Sequence, residues 1–141
     1  MHSPLFWIEW LDRLDRVLRS ARHDVAILAR AVSPRGLEAI ERSKRQLTAL
    51  TNDLHLLDRS VLAAGSTQEA ADNLQKALDA TVAQLGSIAE LLPAGAPAVR
   101  DRVLAATDST LRDSCYEAAM LLGPSRSKVA PAYSRAGQVT L

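Results

Sequence analysis

Cysteines, aromatic residues, glycines and prolines are scarce in this 141-residue chain, and each shortage narrows the possible structures. Cys115 is the one cysteine, so no internal disulfide can form, and a reducing compartment is the simpler expectation. Aromatic residues make up only 4% of the chain, which disfavours a β-sandwich rich in tyrosine, phenylalanine and isoleucine. The six glycines and six prolines leave long uninterrupted stretches, as helices require.

Long apolar runs and an excess of charge are also missing. No stretch reaches the roughly 18 apolar residues of a membrane span. The apolar run from Met1 to Leu11 is short, lacks a basic leader and is interrupted by Glu9, so we expect no signal peptide. The formal net charge of +1 does not favour nucleic acid. We therefore expect a cytoplasmic protein with no membrane span and no nucleic-acid partner.

Leucine, alanine and valine recur with alternating spacings of three and four residues, the period of a helical bundle. The first segment, from about Pro4 to Val32, carries this seam at Trp7, Leu11, Leu14, Leu18, Ala21, Val25, Leu28 and Val32. Ser33-Pro34 predicts a capped start for the second helix, which we expect to reach Ala64.

Two further helices are indicated by a capping box and a proline-rich break. Ser66-Thr67-Gln68-Glu69 opens the third, and Pro93-Ala94-Gly95-Ala96-Pro97 separates it from the fourth. Gly123-Pro124 predicts the end of the fourth helix. Short links force neighbouring helices to be antiparallel. We predict an all-α antiparallel bundle of about four long amphipathic helices over residues 1–123, with a disordered basic tail over 124–141. A helical hairpin with the last two helices docked differently is the alternative.

The fourth predicted helix has the least regular seam, because Thr107, Asp108, Ser114 and Cys115 stand where larger apolar residues are expected. A helix that packs imperfectly in its own bundle can repack on a partner, although an ordinary Ala-rich bundle helix would look similar. Candidate protein-binding residues on this helix and in the tail are Leu111, Tyr116, Met120, Leu121 and Tyr133.

Three of the five aromatic residues, Phe6, Trp7 and Trp10, cluster near the N-terminus. They widen the apolar face of the first helix beyond what one seam needs. Two main interpretations remain open: the cluster closes one end of the bundle, or it is an exposed anchor for another protein, since tryptophan is frequent at binding hot spots. Contact with a membrane interface is a further alternative, which the balanced charges of the first helix disfavour.

Catalytic and metal-binding patterns are not evident. No histidine among His2, His23 and His55 has another ligand at metal-binding spacing. His55 is followed by Leu56-Leu57-Asp58-Arg59, without the lysine and glycine of a histidine phosphotransfer motif, and Cys115 has no neighbouring base. We expect no enzymatic activity, no cofactor and no metal site. Phosphotransfer at His55 or His23 is kept as a further alternative.

The run from Gly36 to Leu47 and the tail sequence Tyr133-Ser134-Arg135-Ala136-Gly137-Gln138 carry a family resemblance. Together with the order of the helices, they resemble the FlgN-type flagellar export chaperones, with Lys44, Leu47, Tyr133 and Gly137 at matching positions. The asparagine-containing signature common in that family's last helix has no counterpart in residues 105–111.

The resemblance implies a small cytoplasmic chaperone that binds hook–filament junction subunits through its last helix and tail. More generally, we expect a non-enzymatic protein that holds an amphipathic helical partner unassembled. A self-associating structural or assembly protein, of the phage or envelope type, is the alternative and would make the protein a homo-oligomer.

Overall fold

The computed structural model describes residues 4–56, 66–93 and 95–129, with side chains over residues 7–56, 68–93 and 95–121. These residues form an all-α structure in which the described part of the chain contains no strand. The four helices are α1 (Pro4–Arg30), α2 (Pro34–Leu56), α3 (Ser66–Leu91) and α4 (Pro97–Val129).

The helices close into a ring, because each packs against the next along the chain and α4 returns to pack against α1. Contacts between the end of one helix and the start of the other show that α2 and α3 run antiparallel. His55 of α2 contacts Gln75 of α3, whereas Lys44, earlier in α2, lies beside Gly86, later in α3. The predicted antiparallel bundle is therefore confirmed.

Local capping explains where α2 begins. The Gly36 backbone N–H donates to the Ser33 side-chain hydroxyl at 3.0 Å, and the Leu37 N–H donates to the Ser33 carbonyl at the same distance. Ser33 is thus the helix cap that the sequence predicted, with Pro34 in the first turn, where its missing N–H costs little.

The core consists of residues spaced alternately by three and four on each helix. The α1 seam is buried from Trp7 to Leu28 as predicted, whereas Val32 lies beyond the end of α1 and is only partly buried. On α4 the buried positions are equally regular: Leu104, Thr107, Leu111, Ser114, Ala118 and Leu121. The irregularity predicted for this helix is therefore one of side-chain chemistry and not of spacing.

Buried hydroxyls on α3 and α4 satisfy one another. Thr81 Oγ1 and Ser114 Oγ are 2.7 Å apart, and Thr81 Oγ1 also lies 2.9 Å from the Ala77 carbonyl and 3.2 Å from the Thr110 carbonyl. Thr107 donates its hydroxyl to the Val103 carbonyl at 2.8 Å. Because these polar groups have partners, they occupy the core without the cost of an unpaired hydroxyl.

The predicted end of α4 at Gly123-Pro124 is wrong, because the helix continues to Val129. Proline is disfavoured inside a helix because it lacks an N–H and crowds the carbonyl four residues earlier. Here the residue before the proline is glycine, which has no Cβ to clash with the proline ring, so the helical conformation is less strained. The predicted boundary at residue 123 is therefore not a helix boundary. Residues 130–141 of the predicted tail and residues 57–64 of predicted helix 2 lie outside the described residues.

The hydroxyl pair between α3 and α4 can be tested by a double-mutant cycle. Thr81→Val keeps the side-chain shape but leaves the Ser114 hydroxyl buried without its partner, so we expect a loss of about 1–3 kcal/mol in the free energy of unfolding. Ser114→Ala leaves Thr81 bonded to a backbone carbonyl and should cost about 0.5–1.5 kcal/mol. The double variant should be more stable than the sum of the two losses implies. Additive losses in urea unfolding would contradict coupling.

The continuation of α4 past Pro124 gives a second prediction. Pro124→Ala restores a backbone N–H for the Met120 carbonyl and should favour the local helix by up to about 3 kcal/mol. Hydrogen exchange should then slow at the amides of residues 121–129. Ser125→Ala is the matched control, because it leaves the backbone donors unchanged. Equal exchange in Pro124→Ala and the unmodified protein would contradict a helix through this segment.

Candidate functional site

The C-terminal half of α4 exposes two large apolar side chains on its outer face. Tyr116 is 63% exposed and Met120 is 51% exposed, and the two are one helical turn apart. The buried residues Ser114 and Ala118 lie on the opposite side of the helix. We call this pair the Tyr116–Met120 patch.

The rest of the outer face of α4 is polar or small. Arg102, Ala106, Ser109 and Asp113 are exposed and occupy the same face at helical spacing. A continuous apolar stripe would have favoured capture of a partner by this helix, whereas a polar outer face such as the one over residues 102–113 favours a closed, self-sufficient bundle. The observed face instead restricts an apolar contact to the described turns around the Tyr116–Met120 patch.

Four of the predicted protein-binding residues are in the core. Leu111 and Leu121 are fully buried, and Trp7 and Trp10 are only 1% and 2% exposed. In this bundle they stabilise the fold, and a partner could reach them only if the helices separated. The side chain of Phe6 and all of Tyr133 lie outside the described residues, so Tyr116 and Met120 are the predicted binding residues that the structure places on the surface.

The two tryptophans pack edge to face near the start of α1. Their ring centroids are 5.6 Å apart and their planes are inclined by 80°, the T-shaped arrangement that aromatic quadrupoles favour. Both indole N–H groups are buried and have no hydrogen-bond partner within the described part of the chain. For these two tryptophans, burial favours the interpretation that they close one end of the bundle over that of an exposed anchor.

A groove of about 650 Å³ runs between α1 and α4. Apolar residues line its base, and charged residues from both helices border it. The α1 side contributes Arg19, Arg22, His23, Val25, Ala26 and Ala29, and the α4 side contributes Asp101, Leu104, Ala105, Asp108 and Arg112. The sequence reasoning missed this groove. The sequence does contain a signal for the groove: alanines occupy positions beside the seams of both helices. Larger side chains at these positions would fill the space between the helices.

Ion pairs hold several charged side chains around this α1–α4 groove. Arg112 Nε lies 2.9 Å from Asp108 Oδ2, and Arg22 Nε lies 3.8 Å from Asp108 Oδ1. On α1, Arg19 Nε is 3.0 Å from Asp15 Oδ2. These pairs are solvated, so each contributes at most about 1 kcal/mol. Their main effect is to orient the guanidinium groups.

Cys115 lies beside the groove and is not an activated nucleophile. Burial raises the pKa of its thiol above the ordinary value, while the nearby positive charge of Arg22 acts in the opposite direction. The thiol is therefore neutral at physiological pH, unlike the thiolates of catalytic cysteines.

Histidines and carboxylates do not assemble into a metal site in the described ranges, where no group of three or more potential ligands occurs. His23 borders the groove and is exposed. His55 is exposed, and its ring nitrogens lie 2.9 and 3.0 Å from Gln75 Nε2. No helix in the described part of the chain is long and apolar enough to cross a membrane.

Comparison of the chain with protein-family models, with curated proteins and with solved structures gave no match.

The pKa of Cys115 predicts slow alkylation that accelerates only at high pH. Since the native pKa is raised, the thiolate fraction at any given pH is smaller than in a free cysteine. For the same reason, the free energy of unfolding decreases as the pH rises towards the native pKa. Arg22→Met removes an influence that lowers the pKa, so its rate–pH profile with iodoacetamide should shift to still higher pH. Arg42→Met, an exposed substitution on α2, is the control. A shift to lower pH in Arg22→Met would contradict the assignment.

Proposed function

We propose that this protein is a non-enzymatic binding protein that holds an amphipathic helix of another protein against the Tyr116–Met120 patch. The observation that carries the proposal is the exposure of these two side chains on one face of α4. Tyrosine offers a rigid apolar ring with a polar end, and methionine adapts its shape to a partner. Both properties suit contact with the apolar face of a helix.

The charges around the patch indicate the chemistry of the partner. Asp113 lies three residues before Tyr116 and is exposed, and Glu117 lies three residues before Met120 and is partly exposed. Both carboxylates therefore lie within one helical turn of the apolar side chains they precede. The exposed Arg112 lies four residues before Tyr116 and is paired with Asp108. We expect the partner helix to carry lysine or arginine residues beside its apolar face, because opposite charges favour the correct encounter.

This surface is compatible with a chaperone role. A partner helix bound at the patch would have its own apolar face covered, which would prevent assembly until release. Binding there leaves the buried residues Leu111 and Leu121 in place, so the bundle need not open. The sequence resemblance to FlgN-type export chaperones supports the same role through the last helix, and we propose an export substrate as the partner.

Self-association is the alternative use of the same patch. Two copies facing each other through Tyr116 and Met120 would bring Asp113 and Glu117 of both chains into one interface. Like charges at such an interface oppose association. Since Arg112 is already paired with Asp108, the unpaired charge that the described residues place at this border is that of two carboxylates, which favours a basic partner over a second copy.

The proposal predicts selective binding of a basic amphipathic peptide. A synthetic helical peptide with leucine and lysine in heptad spacing should bind the protein, as followed by fluorescence anisotropy. The paired substitution Tyr116→Ala with Met120→Ala should weaken binding by at least about tenfold, since each anchor at a hot spot is worth about 1–2 kcal/mol or more. Both side chains are exposed, so the fold should persist.

Two controls distinguish specific binding at the patch from non-specific hydrophobic binding. Ile27→Ala removes another large side chain that is 44% exposed, on α1, and should leave peptide affinity unchanged. A leucine–glutamate peptide should bind more weakly than the lysine peptide. Equal affinity in the patch variant and in Ile27→Ala would overturn the proposal. A dimer in light scattering that the patch substitutions abolish would replace it with self-association.

A further inference from the structure

The α1–α4 groove has the size and base of a small-molecule site. Val25 and Leu104 are almost fully buried at its base, and Ala26, Ala29 and Ala105 are too small to fill the space above them. Its volume of about 650 Å³ is enough for a small molecule, and the groove is open to solvent along one side, so a bound ligand would be covered only in part. The apolar base would cover the hydrocarbon part of a ligand.

Positive charge is concentrated at one end of the groove. Arg19 and Arg22 on α1 lie there opposite Arg112 and the Asp108 carboxylate on α4, so three guanidinium groups face one lining carboxylate. Arg19 and Arg112 each have a close carboxylate, at 3.0 Å on Asp15 and 2.9 Å on Asp108. These two arginines are therefore oriented but partly neutralised.

Arg22 differs from the other two arginines. Its Nε is buried and has no hydrogen-bond partner among the described residues, and its separation of 3.8 Å from Asp108 is too long for a hydrogen bond. The outer part of the side chain remains accessible, at 39% exposure. Among the described residues no carboxylate lies within hydrogen-bond distance of this guanidinium, and an anionic oxygen in the groove could supply one to its accessible outer part.

We propose that the α1–α4 groove binds a small organic monoanion with an apolar body. The anionic head, a carboxylate or a group of similar chemistry, pairs with Arg22 and is supported by Arg19 and Arg112. The apolar body lies over the alanines towards Ala29. Asp108, which lines the groove beside the arginines, is paired with Arg112 and leaves the other two guanidinium groups in excess there. Asp101 borders the groove at the far end and repels a second negative charge, so the site selects anions charged at one end only.

Decanoate is the probe that tests this proposal, with decyltrimethylammonium as the matched cation. In titrations of ¹⁵N-labelled full-length protein below the micellar range, decanoate should shift amide signals of residues 19–29 and 101–112 in a saturable manner. The cation should bind at least about tenfold more weakly, because it loses the charge-assisted pairing with Arg22. Shifts confined to the Tyr116–Met120 patch, or equal affinity for both probes, would overturn the proposal.

Two variants test the two parts of the site separately, the charged end and the apolar base. Arg22→Met should weaken decanoate binding about tenfold by removing the charged partner. Ala105→Leu fills the groove from an exposed position and should weaken both probes without unfolding the bundle, as checked by circular dichroism. Arg42→Met is the matched control for loss of one positive charge. Unchanged affinity in Ala105→Leu would place the probe outside the groove. Because the peptide test concerns a different surface, either proposal can fail alone.

Discussion

Burial of four seams against one another, each spaced alternately by three and four residues, is the constraint on which the structure depends. Once α1 and α3 place their leucines towards the centre, the facing positions of α4 must also enter the core, whatever their polarity. Thr107 and Ser114 are buried for this reason, and the core accommodates them because their hydroxyls are hydrogen-bonded. The same rotation of α4 turns Tyr116 and Met120 outward.

Both proposed surfaces are formed by residues that lie outside the buried seams of the helices. The Tyr116–Met120 patch occupies the side of α4 opposite the core, where nothing in the fold requires an apolar residue. The α1–α4 groove arises where alanines flank the seams of two neighbouring helices and leave space between them. One surface would take a macromolecular helix and the other a small anion, because the first is an outward-facing helix face and the second is a recess bordered by arginines.

Much of the fold was predictable because its signals are local. Proline at the first helical turn marks the starts of α2 and α4, and the Ser33 cap is observed directly in its hydrogen bond to the Gly36 amide. The end of α4 was not predictable in this way. Gly123 and Pro124 are strong stop signals on average, yet glycine before proline also reduces the clash that normally ends a helix. Residue type alone does not show whether the helix-stopping tendency of this pair or the reduced clash is the larger effect.

The candidate site was likewise predictable in part from the sequence and in part only from the tertiary structure. The sequence by itself determined the helices, their heptad seams and the presence of apolar residues near the end of α4. Only the tertiary structure decided that Leu111 and Leu121 are buried while Tyr116 and Met120 are exposed, and that Trp7 and Trp10 belong to the core. It also brought Arg22 and Asp108, which are far apart in the chain, to opposite sides of one groove. The physical reason is that periodicity specifies which residues share a helix face, whereas the packing of neighbouring helices determines which faces remain open to solvent.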